Sequence, residues 1–377
     1  MWIKNVRIFT EDRKFVPGAV EIEGERIKRV SSYYNNGENE KMEGEIIDGG
    51  GDMLLPGLTD IHFHGCRGFD VCDGTQEALS EIARYEASIG VTQICPATMT
   101  LAEERLCAIL SNMAAFRESQ QAKAHGGEAD LVGVNMEGPF ISYEKKGAQN
   151  AQFIVPRSLE VFRKYQESAG GLVKFIAIAP EMTDEKCAEG RAVLSAGNGD
   201  VVDAPELAGE SVEDFVRGVG DSAVVSIAHS NADYDAARAA LLAGASHGVH
   251  MFNAMPEFLH RAPGIVGALY DDGDATGELI CDGIHVHPSV TRNTLRLLGD
   301  RRLILISDSM RAAGMDDGLY ELGGQEVRVR GNLATLTSDG AIAGSVTTLP
   351  DCVRFAVKEA GLPLETAIAC AAENSAR

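Results

Sequence analysis

The chain has 377 residues, of which 45% are hydrophobic and 24% charged, and its formal net charge is −22. That length suits one large core, or a large domain with a small one beside it. The negative field argues against a nucleic-acid backbone or an anionic membrane as the main partner, and no run reaches the roughly 18 apolar residues of a membrane span.

The first 55 residues read as a small β domain. Segments 2–9, 19–23 and 26–30 cluster β-formers around turns at Pro17-Gly18 and Gly24-Glu25. The opening Met1-Trp2-Ile3-Lys4-Asn5-Val6 lacks the apolar core of a signal peptide. A polar stretch from Ser31 to Glu45 reads as an exposed loop before Ile46-Ile47-Asp48. From Pro56 onward short apolar strands alternate with helical stretches, the pattern of βα units around a parallel sheet. Strands are predicted at 57–61, 91–95, 131–136, 173–178, 223–228, 246–249, 278–281 and 303–307, and helices at 76–88, 102–119, 233–243, 289–298 and 350–360. Eight strands in roughly 250 residues match a (β/α)8 barrel. No Gly-rich dinucleotide turn follows the first strand to favour a doubly wound sheet. The expected fold is α/β: a TIM-type barrel over 56–377 with a small N-terminal β domain over 1–55.

The residues just past these strands carry the chemistry. His62 and His64 follow the first, Glu137 the third, His229 the fifth, His250 the sixth, Asp282 and His285 the seventh, and Asp308 the eighth. A barrel gathers all of them at its C-terminal face. In Asp60-Ile61-His62-Phe63-His64 the strand alternation points both imidazoles to one side, a half-site for Zn, Fe or Mn. Plainer alternatives are solvent-facing or core histidines, a turn-capping Glu137 and an N-capping Asp308. His125, His247, His260 and His287 read as structural or surface residues, and Lys145 and Lys146 as solvated. Eight cysteines without a C-x-x-C pair fit reduced, buried thiols and a cytoplasmic location. Of these, Cys66 lies beside the paired histidines.

The segments Pro56-Gly57-Leu58-Thr59-Asp60-Ile61-His62-Phe63-His64-Gly65, Met136-Glu137-Gly138-Pro139-Phe140, Lys145-Lys146-Gly147-Ala148, Ala228-His229-Ser230-Asn231-Ala232, His250-Met251-Phe252-Asn253-Ala254-Met255, Arg261-Ala262-Pro263-Gly264, Asp282-Gly283-Ile284-His285-Val286 and Ser307-Asp308 occur in one order along the chain. In that order they resemble the amidohydrolase superfamily and, within it, the N-acetylglucosamine-6-phosphate deacetylases. The resemblance implies Glu137, His229 and His250 as core metal ligands and Asp308 as the carboxylate beside the metal. His62 and His64 complete the ligands for a second ion, Zn above Fe, Co or Mn. Such an ion lowers the pKa of bound water toward about 7 and polarises the amide carbonyl, while Asp308 acts as general base and then acid. His285 is implied at the sugar and at catalysis, and Asn253, Ala254 and Arg261 at the phosphate, with Arg261 reaching in from the second subunit of a homodimer. Competing functions are deacetylation of the galactosamine epimer, hydrolysis of a cyclic amide, and an inactive amino-sugar-phosphate sensor.

Three departures from the family pattern stand out. Gln149 replaces a histidine and is expected at the substrate, donating from its amide. The acidic stretch 183–221, with a turn at 196–200, reads as a solvated surface insertion. The chain also stops at Arg377, before the strands that would complete the small β domain as a β-sandwich, so unpaired edges are expected there.

Overall fold

The computed structural model describes residues 1–32, 42–122, 127–196 and 209–376. His125, most of the polar stretch before Ile46 and the turn beyond Ala196 lie outside these residues.

Eight barrel strands follow one another in the predicted order: Leu58–Asp60, Val91–Ile94, Val134–Phe140, Val173–Ile178, Val224–Ile227, His247–Gly248, Thr276–Ile280 and Leu303–Ile306. Neighbours pair in parallel, the second and third joining where Ala97 and Thr98 meet Asn135 and Met136. The eighth strand returns to the first at the C-terminal rim. There Asp308 donates its backbone N–H to His62 O at 2.9 Å, and His64 donates to Ser309 O at 2.7 Å. Both faces of such a sheet are covered, so its strands read as continuous apolar runs, as in the fully buried Leu303–Ile306. Inside the barrel Ile61, Cys95, Ile280, Ile304 and Ile306 form a core of their own.

The outer helices begin where side chains satisfy free backbone donors. Thr75, Asp233 and Thr348 accept from the N–H groups of Ala78, Ala236 and Asp351. Helix Tyr234–Ala243 stops at Gly244, whose φ of 112° no side chain tolerates well. The stretch 183–221, expected as a solvated loop, instead carries the helices Asp184–Ala196 and Val212–Val219 at its two ends. The second buries Phe215, Val216 and Val219, an apolar stripe too short to stand out from the acidic residues around it.

Among the described residues the N-terminal region is a single five-stranded sheet, as expected of a small β domain that lacks the strands completing a sandwich. Its central strand Trp2–Phe9 pairs antiparallel with Phe15–Glu23 and parallel with Ile46–Asp48 and Met53–Leu54. Phe9 packs on Ile368 and Ala369 of helix Leu364–Ala371, and Arg13 reaches Glu373 at 2.9 Å, which ties the sheet to the barrel.

A second antiparallel sheet, Gly318–Leu322, Gln325–Arg330 and Leu333–Leu336, follows the eighth barrel strand. It was not among the predicted elements, although Val327 and Val329 are buried between exposed Glu326, Arg328 and Arg330 in a clean period of two. Gln325 donates from its amide to Ala148 O at 2.6 Å, which seats this sheet over the barrel mouth. Among the described residues no helix is long and apolar enough to cross a membrane.

Candidate metal centre

His62, His64, Glu137, His229, His250 and Asp308 come together at the C-terminal mouth, each no more than 7% exposed. The backbone makes this convergence possible. His229, His250 and Asp308 each sit two residues past a strand end with φ of 42°, 27° and 48°, a left-handed region that residues with a Cβ rarely occupy. Glu137 lies inside its strand and is followed by Gly138 at φ 130°. A Cβ on Gly138 would stand 2.1 Å from Thr100 Oγ1, so only glycine fits between the strand and its neighbour.

The side chains form two groups that share Glu137. One is His62, His64 and Glu137, the other Glu137, His229 and His250, and within each the ligand atoms lie within 4.8 Å of one another. Glu137 Oε1 is 2.7 Å from His229 Nε2 and 2.8 Å from His250 Nε2, while Oε2 is 3.3 Å from His64 Nε2. Asp308 Oδ1 stands 3.4 Å from His64 Nε2 and 3.7 Å from His62 Nε2.

The hydrogen bonds on the far sides of the rings decide what these atoms can do. His64 Nδ1 faces Ala97 O at 3.1 Å and His229 Nδ1 faces Lys145 O at 2.8 Å. A carbonyl only accepts, so each Nδ1 carries the proton and, in the neutral ring, each Nε2 turns a lone pair toward the cluster. His62 Nδ1 is likewise engaged by Glu278 at 2.8 Å, and its Nε2 is buried without a hydrogen-bond partner. Lone pairs facing carboxylate oxygens repel unless a proton or a cation lies between them. Nitrogen and oxygen donors in this number suit a divalent transition metal, so the residues fit one.

The protonation balance agrees. Burial alone would favour neutral imidazoles. Glu278 and Glu137 nevertheless hold His62 well above the ordinary histidine value, and Asp308 and Glu137 push His64 up to about 10. Burial alone would also favour a neutral Glu137, yet the imidazoles of His229, His250 and His62 keep it well below the usual carboxylate range. Asp308 is likewise held down, its burial outweighed by the hydrogen bond and charge of His64 and the charge of His62. The mouth therefore attracts positive charge where a divalent cation would supply it.

A cavity of about 310 Å³ opens over this cluster and is lined by His64, Glu137, Gln149, His229, His250, Asn253, Ala254, His285 and Asp308, among others. His285 is fixed by Asp282, whose carboxylate holds Nδ1 at 2.7 Å and whose other oxygen accepts the His285 backbone N–H at 2.9 Å. Gln149 lines the cavity and faces Glu137. Its amide Nε2 is committed to Glu137 Oε2 at 2.7 Å, and its oxygen accepts from the Thr100 N–H at 2.6 Å. Arg261 is exposed and is not part of the cavity lining in this single chain. Cys66 is buried, and that burial, with Glu86 beside it, pushes its thiol far above the reactive range. A larger cavity of about 640 Å³ lies at the opposite end of the barrel, lined in part by Thr59, Gln93, Lys174 and Ser246, and contains none of these groups.

Glu278 was missed in the sequence, where it reads only as the first residue of an apolar strand. The signal was its alternation with Ile280, which places a carboxylate on the barrel-facing side of that strand. His247 proves to be its partner, with Nε2 at 2.9 Å, and His287 caps helix Pro288–Leu298.

Residues 53–377 match the amidohydrolase family. The chain is 36% identical over 354 residues to an N-acetylglucosamine-6-phosphate deacetylase of Bacillus subtilis, covering 93% of this chain and 81% of that one. It is 32% identical to an N-acetylgalactosamine-6-phosphate deacetylase of Escherichia coli O157:H7, covering 86% and 78%. Among solved structures, a variant N-acetyl-D-glucosamine-6-phosphate deacetylase of Mycobacterium smegmatis in complex with N-acetyl-D-glucosamine-6-phosphate superposes with a TM-score of 0.83 at 28% identity, covering 100% of this chain and 89% of that one. The Thermotoga maritima N-acetylglucosamine-6-phosphate deacetylase gives 0.80 at 28% identity, with coverage of 100% and 88%. Fold, ligand cluster and sequence thus agree that this chain belongs to the amidohydrolase family, in its N-acetylglucosamine-6-phosphate deacetylase branch.

Proposed function

We propose that the chain hydrolyses the acetamide of N-acetylglucosamine 6-phosphate to glucosamine 6-phosphate and acetate. The observation that carries this reading is the pair of residue groups sharing Glu137, with Asp308 beside them, 3.4 Å from His64 Nε2. Glu137, His229 and His250 would hold one divalent ion, and His62 and His64 with Glu137 a second, with zinc the first choice. When bound, such ions polarise the amide carbonyl and acidify water.

The remaining chemistry belongs to the protein. Asp308, kept ionised, takes a proton from the attacking water as it adds to the acetamide carbon. It then delivers that proton to the nitrogen as the C–N bond breaks, because an amine departs only when protonated. His285, steadied by Asp282, hydrogen-bonds the sugar beside the reacting amide. The backbone at Ala254 and the Asn253 amide, which in this structure donates to His250 O and Met251 O at 3.2 Å, hold the phosphate from within the cavity. Arg261, outside the lining of its own chain, serves the phosphate from a neighbouring subunit of a homodimer, where its forked guanidinium matches phosphate geometry. Residues 1–55 support the catalytic barrel of 56–377, and the eight free cysteines fit a reducing cytoplasm.

The test is acetate release from N-acetylglucosamine 6-phosphate, with chelator and with metal restored. Metal-dependent release that is absent for the unphosphorylated sugar is expected. No release with any metal from folded protein would sink the reading. The galactosamine epimer is the second candidate, favoured by the E. coli relative, and the same assay with that sugar decides between them.

A further inference from the structure

The interior of a parallel barrel is ordinarily filled by branched apolar side chains, and here Ile61, Ile280, Ile304 and Ile306 do so. Glu278 breaks the pattern. It is 0% exposed and does not line the substrate cavity, so it does not touch the reacting groups. A carboxylate so deep is costly unless every lone pair is used. Its Oε2 accepts from His62 Nδ1 at 2.8 Å and from the His250 backbone N–H at 3.0 Å. Its Oε1 meets His247 Nε2 at 2.9 Å, and His247 Nδ1 in turn meets Thr276 Oγ1 at 2.7 Å. A chain of contacts thus runs from Thr276 through His247 and Glu278 to His62.

The four histidines of the centre are not backed alike. His64 and His229 rest on main-chain carbonyls, and His250 Nδ1 is buried without a hydrogen-bond partner. Of the four, His62 alone is backed by a carboxylate. An anionic acceptor behind an imidazole fixes its tautomer and orientation and makes the opposite nitrogen a stronger donor. We propose that Glu278 is a positioning residue for His62, which sets the affinity of the His62–His64 half of the centre separately from that of the His229–His250 half. This rests on the reading that the centre holds two ions.

Glu278→Gln is the sharpest variant, because the amide oxygen still accepts from His62 and the His250 N–H while its NH2 donates to His247 Nε2. Metal-stripped wild type and variant are titrated with Zn2+ against a competing chelator, and bound metal is counted per chain by mass spectrometry. The wild type is expected to fill two positions. The variant is expected to keep one unchanged and to lose roughly 10- to 100-fold in affinity at the other. In a His62→Gln background, where that half has already lost its ligand, Glu278→Gln is expected to change nothing further. A merely structural role would loosen the remaining position too. Glu278→Asp, which keeps the charge but withdraws it by one methylene, is expected to weaken the same position by less. Two ions bound with wild-type affinities in both Glu278 variants, or equal weakening of both positions, would overturn the inference alone. A wild type that binds one ion or none would overturn it together with the two-ion reading.

Discussion

The barrel mouth and the N-terminal sheet place the same kinds of charged residue in opposite settings. In the sheet, Lys28 meets Glu21 at 3.2 Å and Glu23 at 3.0 Å, and Arg29 reaches Glu21 at 3.1 Å, with the lysine and arginine about half exposed at 48% and 47%. At the mouth, Glu137, Asp308 and Glu278 are buried, and each is held ionised by imidazoles. Solvent screens the first set and is excluded from the second, so charges at similar distances carry very different weight. One region is expected to tolerate the loss of a partner, and the other to register the loss of a single member.

The largest effect is expected from Asp308→Asn, which leaves the cavity shape intact but removes the proposed proton carrier. Deacetylase kcat is expected to fall by about 10³-fold, with bound metal per chain reduced by far less. A variant retaining a tenth of wild-type kcat would show that Asp308 does not carry the proton. Next comes Glu137→Gln, which strikes the residue common to both ligand groups. Chelator competition is expected to register weaker metal binding at both positions, by about 10-fold or more. A loss confined to one position would break the picture of a shared carboxylate.

A smaller effect concerns stability and pH. Glu86 is buried on helix Gln76–Ser88, where desolvation, with the charge of Asp60 nearby, pushes its carboxyl up to about 8. With its folded value above the unfolded value of about 4.3, the native state holds the extra proton between the two. Its contribution is therefore fully present below about pH 4 and is lost as pH rises through 8. Glu86→Gln is expected to melt with the wild type at pH 4 and roughly 6 °C higher at pH 9, as read by calorimetry. A higher midpoint for the wild type at pH 9 would reverse the sign of the argument. The smallest effect is expected in the sheet, where Lys28→Ala should shift Tm by less than about 1 °C and leave kcat/KM unchanged. A clear loss of activity in that variant would mean that the two regions are coupled.

Much of the fold was legible because period and punctuation agreed. The eight barrel strands lay in apolar runs bounded by glycine and polar clusters, and helices such as Gln76–Ser88 carried their caps in plain view. The residues of the cluster were legible because they follow, or in the case of Glu137 lie within, those strands. What escaped depended on contacts distant in sequence. Nothing local says that Glu278 faces His62 across 216 residues, or that the Gln149 amide is already committed between Thr100 and Glu137. The helices Asp184–Ala196 and Val212–Val219 escaped because the first has a weak apolar stripe and the second is only two turns long. The sheet from Gly318 to Leu336 shows in the sequence only as alternation over strands of 5, 6 and 4 residues, too short to stand out.

The left-handed turns at His229, His250 and Asp308 bear on any attempt to evolve this protein in the laboratory. Each costs about 1 kcal/mol or more relative to a glycine in the same conformation. Replacement by glycine there relieves backbone strain and removes a side chain of the cluster in one step. A library screened for heat resistance alone is therefore expected to enrich glycine at these three positions, at the expense of activity. Selection for robustness in this scaffold needs a simultaneous demand for turnover, or it will dismantle the mouth of the barrel.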